Sequence, residues 1–428
     1  MSQWKKVKIG DIFAIEKGSL QSSKNTEGEY DFITAAAEWK THNSYDHDCE
    51  AIVYAVAASG SLGRAHYVNG KFIASDLCFI LTEKDKNKYP INFLFYQIVF
   101  EMLRDEIVSK TKTGTSKESI NRGNFSNYEI PYFSIEFQLA NYQRFVDAKN
   151  QIKSLNEESE KQKEYLKQLR QNILQDAIEG KLTADWRKSH PVIKGNPDYD
   201  AEALFEKIQK EKASDKKQKE LPPITDEEKP FEIPEGWKWV RLGEICDGFM
   251  YGTSNKSVPS GKCPVLRMGN IQDGKIDWEK LVYTNDSEEI EKYKLKKYDL
   301  LFNRTNSREM VGKTAIFESK EITIYAGYLV RFHPKFSNSY FINFVLNSKT
   351  HREWCNSVKT DALGQSNINA EKLKNFVTPL PSLYEQEEIV NKVEILLAKV
   401  TELENQIQER KTLSEKLAFG IIKENLEG

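Results

Sequence analysis

The sequence predicts an α+β protein built as a tandem duplication, with two globular α+β domains and two long helices that pair with each other. Three observations predict this fold class. A series of motifs occurs twice in the same order, and each copy contains short runs of β-branched and aromatic residues. Each copy also ends in a segment where apolar residues recur at alternating steps of three and four residues, a pattern here called the seam. With 428 residues, the chain is long enough for two or three domains that have cores of their own.

The duplication extends through most of the chain. The matched segments, in order, are Trp4–Ile12 with Trp237–Ile245, Glu50–Arg64 with Asp299–Lys313, Ile120-Asn121 with Ile368-Asn369, Pro131 with Pro379, and Gln138 with Gln386. From Ile120 onward the two copies align without a gap as far as Gly180 and Gly428. Chance can produce one such match but not the whole series in order, so we interpret the chain as two copies of one ancestral unit.

The first part of each copy, residues 1–138 and 231–384, predicts a small α+β domain. Runs that indicate strands occur at Ala51–Val56, Phe72–Leu81, Leu300–Phe302 and Thr323–Phe332. The dipeptides Asn69-Gly70 and Asp273-Gly274 are strong hairpin signals. The stretches Phe93–Leu103 and Tyr340–Leu346 are either buried helices or strands, since periodicity alone does not separate the two.

The second part of each copy, residues 139–182 and 385–428, predicts a long helix with a coiled-coil seam. The seam positions expected at the interface between the helices are Ile152, Leu155, Leu166, Leu169, Ile173, Val400, Leu403, Ile407, Leu417 and Ile421. Four polar residues, Ser159, Gln162, Arg410 and Ser414, interrupt the seams and favour a register-setting pair over a globular core. Two independent surface helices, the alternative, explain these polar layers less well.

Residues 183–230 predict a linker between the copies. The stretch Leu182–Trp237 holds six of the 13 prolines, and Lys210–Glu220 is a mostly charged run. The segment Tyr199–Lys212 fits one amphipathic helix, and the rest is expected to be extended or mobile.

The composition excludes several classes of protein. Hydrophobic residues make up 39% and charged residues 29%, unlike collagen or a disordered chain. The longest apolar runs, such as Ala51–Ala58, are too short to span a bilayer, and the N-terminal segment lacks the apolar core of a signal peptide. The five cysteines lie far apart with no C-x-x-C spacing, so we expect reduced thiols and a cytoplasmic location. The formal net charge of −2 means that any basic surface must be local.

Two motifs resemble nucleotide or methyl-transfer signatures but lack the context that these require. The segment Gly269–Ile276 nearly matches a P-loop, but Ile276 stands where a hydroxyl should bind magnesium, and Asp273-Gly274 indicates a turn. The tetrapeptide Asn196–Tyr199 resembles that of amino-group DNA methyltransferases, without the second proline or a preceding Gly-rich loop.

Nuclease and metal chemistry are equally weakly indicated. Pro197-Asp198 and Glu227–Lys229 lie in a proline-rich charged segment that does not supply two carboxylates on a rigid sheet. The residues His42, Asp46, His47, Asp48 and Cys49 are potential metal ligands, for which a polar loop is the favoured interpretation. No nucleophile elbow or Cys/His pairing stands out. We therefore predict neither catalytic residues nor a metal site in this chain.

Polar and basic loops occur at equivalent places in the two copies and supply the candidate binding residues. These are Ser59, Ser61, Arg64, Lys110, Lys112, Lys117 and Arg122 in the first copy, and Asn303, Arg304, Thr305, Asn306, Arg308, Lys313, Gln365, Ser366 and Asn367 in the second. Such side chains on glycine-containing loops are the groups that contact phosphates and base edges. Ordinary solvated loops explain either copy alone, but their recurrence at equivalent positions favours binding.

The sequence resembles the specificity subunits of type I restriction–modification enzymes. The segments that carry the resemblance are Trp4–Ile12, Leu169–Leu182, Pro230–Trp237, Arg241–Ile245 and Pro379–Gln386. The resemblance covers nearly all 428 residues, and the order of the motifs is more specific than any one of them.

The resemblance implies two target-recognition domains, residues 1–138 and 231–384, each recognising one half of a bipartite sequence in double-stranded DNA. It implies that the helical regions separate these domains, form an intramolecular antiparallel coiled coil, set the gap in the target and dock two modification (methyltransferase) subunits. It also implies that restriction subunits join the complex, that no membrane is involved, and that methyl donor, ATP and magnesium bind only to the partner subunits.

Two alternatives remain open from the residues themselves. A coiled-coil scaffold or interaction protein would bind duplex DNA weakly and without sequence preference. An enzyme with its own nuclease or methyltransferase site would act alone when given metal or methyl donor. An assay of the purified subunit separates all three.

Overall fold

The computed structural model describes residues 4–58, 60–114, 118–213, 220–362 and 364–427, with the backbone alone for Trp4, Ala213, Ala362 and residues 415–427. The chain divides into two compact units. The first unit comprises Met1–Gln162 and Gln406–Gly428, and the second comprises Lys163–Asn405. Within the described residues, no helix has the length and apolar character needed to cross a membrane.

The first unit contains an α+β domain, residues 4–133, here called the first domain. Its strands are β1 (Trp4–Lys8), β2 (Phe13–Lys17), β3 (Tyr30–Ile33), β4 (Lys40–His42), β5 (His47–Ala55), β6 (Ala65–Ala74), β7 (Cys78–Glu83), β8 (Lys112–Thr113), β9 (Ser119–Ile120) and β10 (Glu129–Phe133). Its helices are α1 (Ile9–Ile12), α2 (Phe93–Met102), α3 (Arg104–Thr111) and α4 (Arg122–Asn127), and the long helix α5 (Ile135–Ile178) follows.

A six-stranded sheet in the order β2-β7-β5-β6-β3-β4 forms the centre of the first domain. The second half of β5, Ala51–Ala55, is apolar without alternation because both faces of the sheet are covered there. Ile52 and Tyr54 pack with helix α2 on one face, whereas Ala51, Val53 and Ala55 belong to a second core on the other. The Phe93–Leu103 stretch, which periodicity leaves undecided, is therefore helical and supplies the larger of these cores.

The second unit contains the second domain, residues 238–380. Its strands are β11 (Lys238–Arg241), β12 (Cys246–Tyr251), β13 (Cys263–Leu266), β14 (Ile271–Gln272), β15 (Lys275–Ile276), β16 (Val282–Thr284), β17 (Leu300–Asn303), β18 (Thr305–Asn306), β19 (Thr314–Ile316), β20 (Ile324–Tyr325), β21 (Leu329–Pro334), β22 (Thr360–Ala362), β23 (Gln365–Asn367) and β24 (Val377–Leu380). The helices after α5 are α6 (Ala184–Ser189), α7 (Ala201–Ala213), α8 (Leu242–Ile245), α9 (Ser287–Tyr293), α10 (Ser339–Val345), α11 (Lys349–Val358), α12 (Ala370–Lys374) and α13 (Leu383–Glu427).

The strand order of the second domain repeats that of the first. The sheet β12-β21-β17-β19 matches β2-β7-β5-β6, and β16-β13-β20 matches β4-β3-β6. Strands β13 and β20 are parallel, as are β3 and β6. The counterpart of β6 is interrupted between β19 and β20, so that one sheet in the first domain becomes two in the second. The predicted duplication and α+β class are both confirmed.

The two hairpin signals have opposite outcomes. Asp273-Gly274 forms the turn between β14 and β15, with φ angles of 47° and 79°, which confirms the hairpin and leaves no P-loop. Asn69-Gly70 is not a turn, and that prediction is wrong. It lies inside β6, where Asn69 pairs with Glu50, because β5 and β6 pair along nearly their whole lengths and the chain reverses between residues 56 and 64.

Much of the linker packs on the second domain. Helix α7 lies where the sequence predicts one, and it buries Ala201, Leu204 and Ile208. The Lys212 ammonium donates to the Gly243 carbonyl at 2.7 Å. Residues 184–189 form helix α6, so the expectation that the remainder is extended is wrong there.

A buried arginine holds the last part of the linker. The Arg241 guanidinium donates to the carbonyl oxygens of Pro222 and Pro223, at 2.6 and 2.9 Å, and pairs with Glu228 at 2.9 Å. Buried cations are stable where carbonyl and carboxylate oxygens satisfy their donors, so this segment is tied to the domain that follows it.

Each long helix begins at an equivalent residue, although Phe137 in the first copy replaces Glu385 in the second. A buried glutamine accounts for this. The Gln138 side chain accepts a hydrogen bond from the Asn92 amide at 2.6 Å and donates to the Phe133 carbonyl at 2.8 Å. Gln386 likewise accepts from the Asn338 amide at 2.8 Å. Each glutamine therefore fixes the start of its long helix against the N-cap of a domain helix.

Helices α5 and α13 are antiparallel where they meet. In the second unit the Arg170 guanidinium pairs with Glu404 at 2.6 Å, and the Lys392 ammonium donates to the Leu182 carbonyl at 3.0 Å. Residues later in the segment 170–182 contact residues earlier in α13, so the two helices run in opposite directions. In the first unit, Gln162 contacts Arg410, one of the predicted polar layers.

Only some of the predicted seam residues of these two helices are buried. Among the predicted seam positions, Leu166, Ile173, Val400 and Ile407 are buried and Ile152 is half-buried. Leu155, Leu169 and Leu403 remain 37%, 41% and 44% exposed. The side chains of Leu417 and Ile421 lie outside the described residues. Within each helix the buried residues are spaced seven apart, so they form one of the two apolar rows of the heptad repeat. We call this buried row the closed row, and the partly exposed row that contains Leu155, Leu169 and Leu403 the open row.

Candidate nucleic-acid interface

Two polar segments that are far apart in the sequence form one surface on the second domain. Strand β17 is fully buried, and the chain emerges after it as β18. Strand β18 pairs with β23, matching Thr305 to Asn367 and Asn306 to Ser366, and β23 pairs with β22. A three-stranded sheet thus joins the two predicted loops. We call residues 303–308, 360–362 and 364–367 the polar sheet.

The first domain has a related construction, in which the sheet consists of two strands, β8 and β9, instead of three. The Ile120 amide donates to the Val56 carbonyl at 2.8 Å, as the Ile368 amide donates to the Arg304 carbonyl at 2.9 Å. Hairpin β8–β9 therefore occupies the place of β22–β23, and Val56 stands where the second domain has Arg304. The two domains share the scaffold of this surface and differ in its side chains.

Most of the predicted cations of the first domain have partners within that domain. The Arg64 guanidinium donates to the Ala35 carbonyl at 2.8 Å and to the Ser61 hydroxyl, and Arg122 donates to the Ile15 carbonyl. Lys112 pairs with Glu118 at 2.8 Å, and Lys110 is exposed at the end of α3. Ser59 and Lys117 lie outside the described residues.

Several predicted residues of the second domain hold the polar sheet together. The Asn367 amide donates to the Thr305 hydroxyl at 2.7 Å, and the Ser366 hydroxyl donates to Asp361. Asn306 accepts a hydrogen bond from the Ser307 amide at 2.8 Å, and Gln365 is exposed. Asn303 is fully buried, and its side-chain amide has no hydrogen-bond partner among the described residues.

The three predicted cations of the second domain differ in how far they are neutralised. Arg308 pairs with Asp361 at 2.8 Å from Nε, and hydrogen bonds from Ser366 and Arg308 hold the pKa of Asp361 below its usual range. The Lys313 ammonium donates to Gln272 at 2.9 Å, and burial lowers its pKa.

Arg304 has no carboxylate partner among the described residues. Its guanidinium carbon lies 4.5 Å from the centroid of the Tyr251 ring, and its Nη2 donates to the Asn367 Oδ1 at 3.5 Å. The nearby Asp299 instead accepts a hydrogen bond from His333 at 3.1 Å. A half-buried guanidinium without a neutralising partner is available to an anion or a base edge.

Two exposed tyrosines beside Arg304 were missed by the sequence reasoning. Tyr251 ends strand β12, and the Tyr328 carbonyl, in the turn before β21, accepts a hydrogen bond from the Arg304 amide at 3.0 Å. The glycine after Tyr251 is the signal that could have found it. A Cβ on Gly252 would lie 2.2 Å from the Tyr325 carbonyl, so that this strand end must pass close to the neighbouring turn.

The residues considered as metal ligands do not converge. No group of three or more His, Cys, Asp or Glu side chains in the described parts of the chain is placed to hold a metal. His47 instead pairs with Asp46 at 2.6 Å and with Glu16 at 3.4 Å.

A buried Cys/His contact, which the sequence does not single out, is electrically neutral. The Cys355 Sγ lies 3.4 Å from the His351 Nε2, one helical turn away on α11. Burial lowers the pKa of His351 to about 3 and raises the pKa of Cys355 to about 12. Nucleophilic catalysis needs a thiolate, and these shifts act against one near neutral pH.

Burial of His351 makes the stability of the second domain depend on pH. In the unfolded chain the imidazole protonates near its ordinary pKa of about 6.5, whereas the folded domain holds it neutral down to about 3. We therefore expect stability to fall as the pH drops from about 6.5 towards 3, with a contribution of up to about 1.4 kcal/mol per pH unit. Urea unfolding at several pH values measures this slope. His351→Gln should reduce the slope whatever its effect on stability at pH 7, and parallel slopes would contradict the assignment.

Comparison with known proteins identifies a family model that matches most of the chain. The family described as "Type I restriction modification DNA specificity domain" matches residues 1–165 and 234–410. The EcoAI specificity subunit of Escherichia coli, a type I restriction enzyme subunit, is 33% identical over 261 residues, which are 57% of this chain and 42% of that protein. The EcoDI specificity subunit of Escherichia coli is 22% identical over 94% of this chain and 83% of that protein. The match thus spans about two-fifths of the EcoAI subunit and most of the EcoDI subunit.

A solved structure supports the fold independently. A chain from work on complex assembly and conformational transition of a type I R-M system has a TM-score of 0.58 and 15% identity to this chain. The superposition covers 99% of this chain and 97% of that one. The similarity therefore concerns the fold over nearly the whole length of the chain.

Proposed function

We infer, from the premise that this chain belongs to the family of type I restriction–modification DNA specificity domains, that it is the DNA sequence-specificity subunit of a type I restriction–modification complex. The observation that carries the inference is the polar sheet at the end of a buried central strand, where the Arg304 guanidinium lacks a carboxylate partner among the described residues. Its scaffold recurs in the first domain, as recognition of a bipartite target requires.

Each domain is proposed to recognise one half of the target in double-stranded DNA. Base edges in the major groove distinguish sequences, and arginine is a common donor to guanine O6 and N7. The remaining cations, such as Lys110, contribute phosphate contacts that add affinity without sequence preference. Because the two domains share a scaffold and differ in side chains, their half-sites should differ in sequence.

The paired helices are proposed to set the gap of unrecognised base pairs and to dock two modification subunits. The antiparallel contacts of Arg170 with Glu404 and of Gln162 with Arg410 support a fixed register. Methyl donor, ATP and magnesium are proposed to bind in the modification and restriction subunits, so that this chain supplies recognition and the partners supply the chemistry.

Methylation sequencing tests the proposal directly. Cells that lack other methyltransferases would express this chain together with its modification subunit, and the genome would be sequenced for methylated adenine. A single bipartite motif with a constant gap is the expected result. Methylation without a motif, or none in a complex that assembles normally, would favour a scaffold that does not recognise sequence.

The two domains should recognise their half-sites independently. Transplanting residues 231–380 from a relative is expected to change one half of the methylated motif and to leave the other half and the gap unchanged, because the first domain and both long helices are retained. Sequencing the methylated sites of the chimera checks this. A motif altered in both halves would count against independent recognition.

A further inference from the structure

We propose that Tyr251 is a positioning residue for base recognition, holding the Arg304 guanidinium in the orientation in which it contacts DNA. This inference rests on the proposed function and extends it to a residue that is remote in sequence from both loops of the polar sheet. The inference depends on one observation: the Arg304 guanidinium lies over the ring of Tyr251. This guanidinium is partly exposed and has no carboxylate partner among the described residues, and the ring is anchored.

The ring itself is fixed. Tyr251 is the last residue of β12 and pairs with Val330 of β21, and its hydroxyl accepts a hydrogen bond from the Ala370 amide at 3.0 Å. The ring nevertheless remains 40% exposed. A tyrosine held at both its backbone and its hydroxyl has little freedom to move, so it offers a rigid surface for a neighbouring cation.

The contact with Arg304 leaves the Nη donors of the guanidinium available, whereas its Nε is buried without a hydrogen-bond partner among the described residues. A cation–π contact uses the charge of the guanidinium and consumes no hydrogen-bond donor. The hydrogen bond that the Arg304 side chain donates to the Asn367 Oδ1, at 3.5 Å, is long. Asn367 is in turn held by its bond to the Thr305 hydroxyl at 2.7 Å. The guanidinium therefore lies between two fixed neighbours and keeps donors for a base edge.

Holding the Arg304 side chain in place raises affinity, because less conformational entropy is lost when DNA binds. A free arginine loses much rotamer freedom when it docks on a base, and a side chain already held in place loses less. Bidentate recognition of guanine also needs the plane of the guanidinium to match the base edge. Restricting the side chain should therefore improve discrimination at the base that Arg304 contacts.

The first domain lacks this pair. The Gly18 amide bonds to the Cys78 carbonyl as the Gly252 amide bonds to the Leu329 carbonyl, so Lys17 takes the place of Tyr251. Val56 takes the place of Arg304. The half-site of the first domain is therefore an internal control, since loss of the Tyr251 ring should leave it unaffected.

The test uses the complex of this chain with its modification subunits and its methylated motif. Binding would be measured for the cognate duplex and for duplexes with each base pair replaced in turn, and Arg304→Ala first identifies the position where discrimination is lost. Tyr251→Leu is expected to lower discrimination at that same position by about 3- to 10-fold, while Tyr251→Phe, which keeps the ring but loses the hydrogen bond from the Ala370 amide, should lose less than Tyr251→Leu. In the Arg304→Ala background, Tyr251→Leu should add nothing, as expected for residues that act together.

Phe336→Leu is the matched control. Phe336 is 41% exposed, and the centroid of its ring lies 4.7 Å from the Lys207 ammonium. It follows the C-terminal end of β21, whereas Tyr251 pairs with Val330 near the N-terminal end. Its replacement should not change discrimination at the Arg304 position.

Four results would overturn the inference. These are a Tyr251→Leu complex that discriminates like wild type, a Tyr251→Phe complex impaired as much as Tyr251→Leu, full additivity with Arg304→Ala, and an Arg304→Ala complex with no altered position. A wild-type complex that binds every duplex alike would overturn the proposed function as well, and is thus distinguished from failure of the Tyr251 assignment alone.

Discussion

Replacing Arg304 with alanine is expected to remove about 1–3 kcal/mol of discrimination at one base pair, in one half-site, of the assembled methyltransferase. Arg304 directly follows the buried strand β17, and it has no carboxylate partner in the described parts of the chain. Its guanidinium lies over the Tyr251 ring, and Gln365 of the polar sheet is exposed. Competition binding with duplexes substituted at each position measures the effect.

The salt dependence of binding separates a base contact from a phosphate contact. If Arg304 contacts a phosphate, its removal lowers affinity equally for all sequences and reduces the slope of log K against log salt by about one. Arg308→Ala is the matched control, because Arg308 lies on the same segment but already pairs with Asp361. We expect a smaller loss from Arg308→Ala and no change in base preference. If Arg304→Ala binds the cognate duplex like wild type at physiological salt, the polar sheet does not contact DNA.

The sequence predicted the parts of this surface but not their association. The segments after β17 and before Ile368 are recognisable by composition, because glycine, arginine and asparagine between apolar runs indicate exposed loops. The contact between Arg304 and Tyr251 depends on the strand order β12-β21-β17, which no local pattern contains. The pairing of Arg308 with Asp361 depends likewise on the pairing of β18 with β23.

In the fold as well, local sequence patterns predicted some features, whereas others depend on contacts between residues far apart in the sequence. The duplication was predictable because equivalent motifs are repeated in order, and the structure repeats the strand order as well. Asn69-Gly70 has the local preference of a hairpin turn, but the pairing of β5 with β6 overrides it. The 3,4 spacing predicts which residues face a partner helix. It does not predict that Val400 is buried while Leu403 stays exposed, since this depends on how the two helices lie against each other.

Placing a carboxylate at Val400 is expected to destabilise the helix pair by about 3–5 kcal/mol, the range found when a charge is left buried without a partner. Val400 is 2% exposed, and its neighbours Thr401 and Glu404 both contact Arg170 of α5. The new carboxylate would face a closed apolar row that includes Ile173. Because a buried carboxyl group is more stable when protonated, the destabilisation of Val400→Asp should diminish as the pH is lowered.

Leu403→Asp is the control that tests the open side of the seam. Leu403 belongs to the same helix and the same predicted interface but is 44% exposed, so its carboxylate stays hydrated and should cost little in the isolated chain. Urea unfolding of both variants measures the difference, and co-purification with modification subunits shows its consequence for assembly. Val400→Asp should lose the modification subunits along with the helix pair. If Val400→Asp unfolds like wild type and assembles normally, the two helices do not depend on this row. If Leu403→Asp leaves the isolated chain stable but prevents assembly, the open row is the surface on which a modification subunit docks.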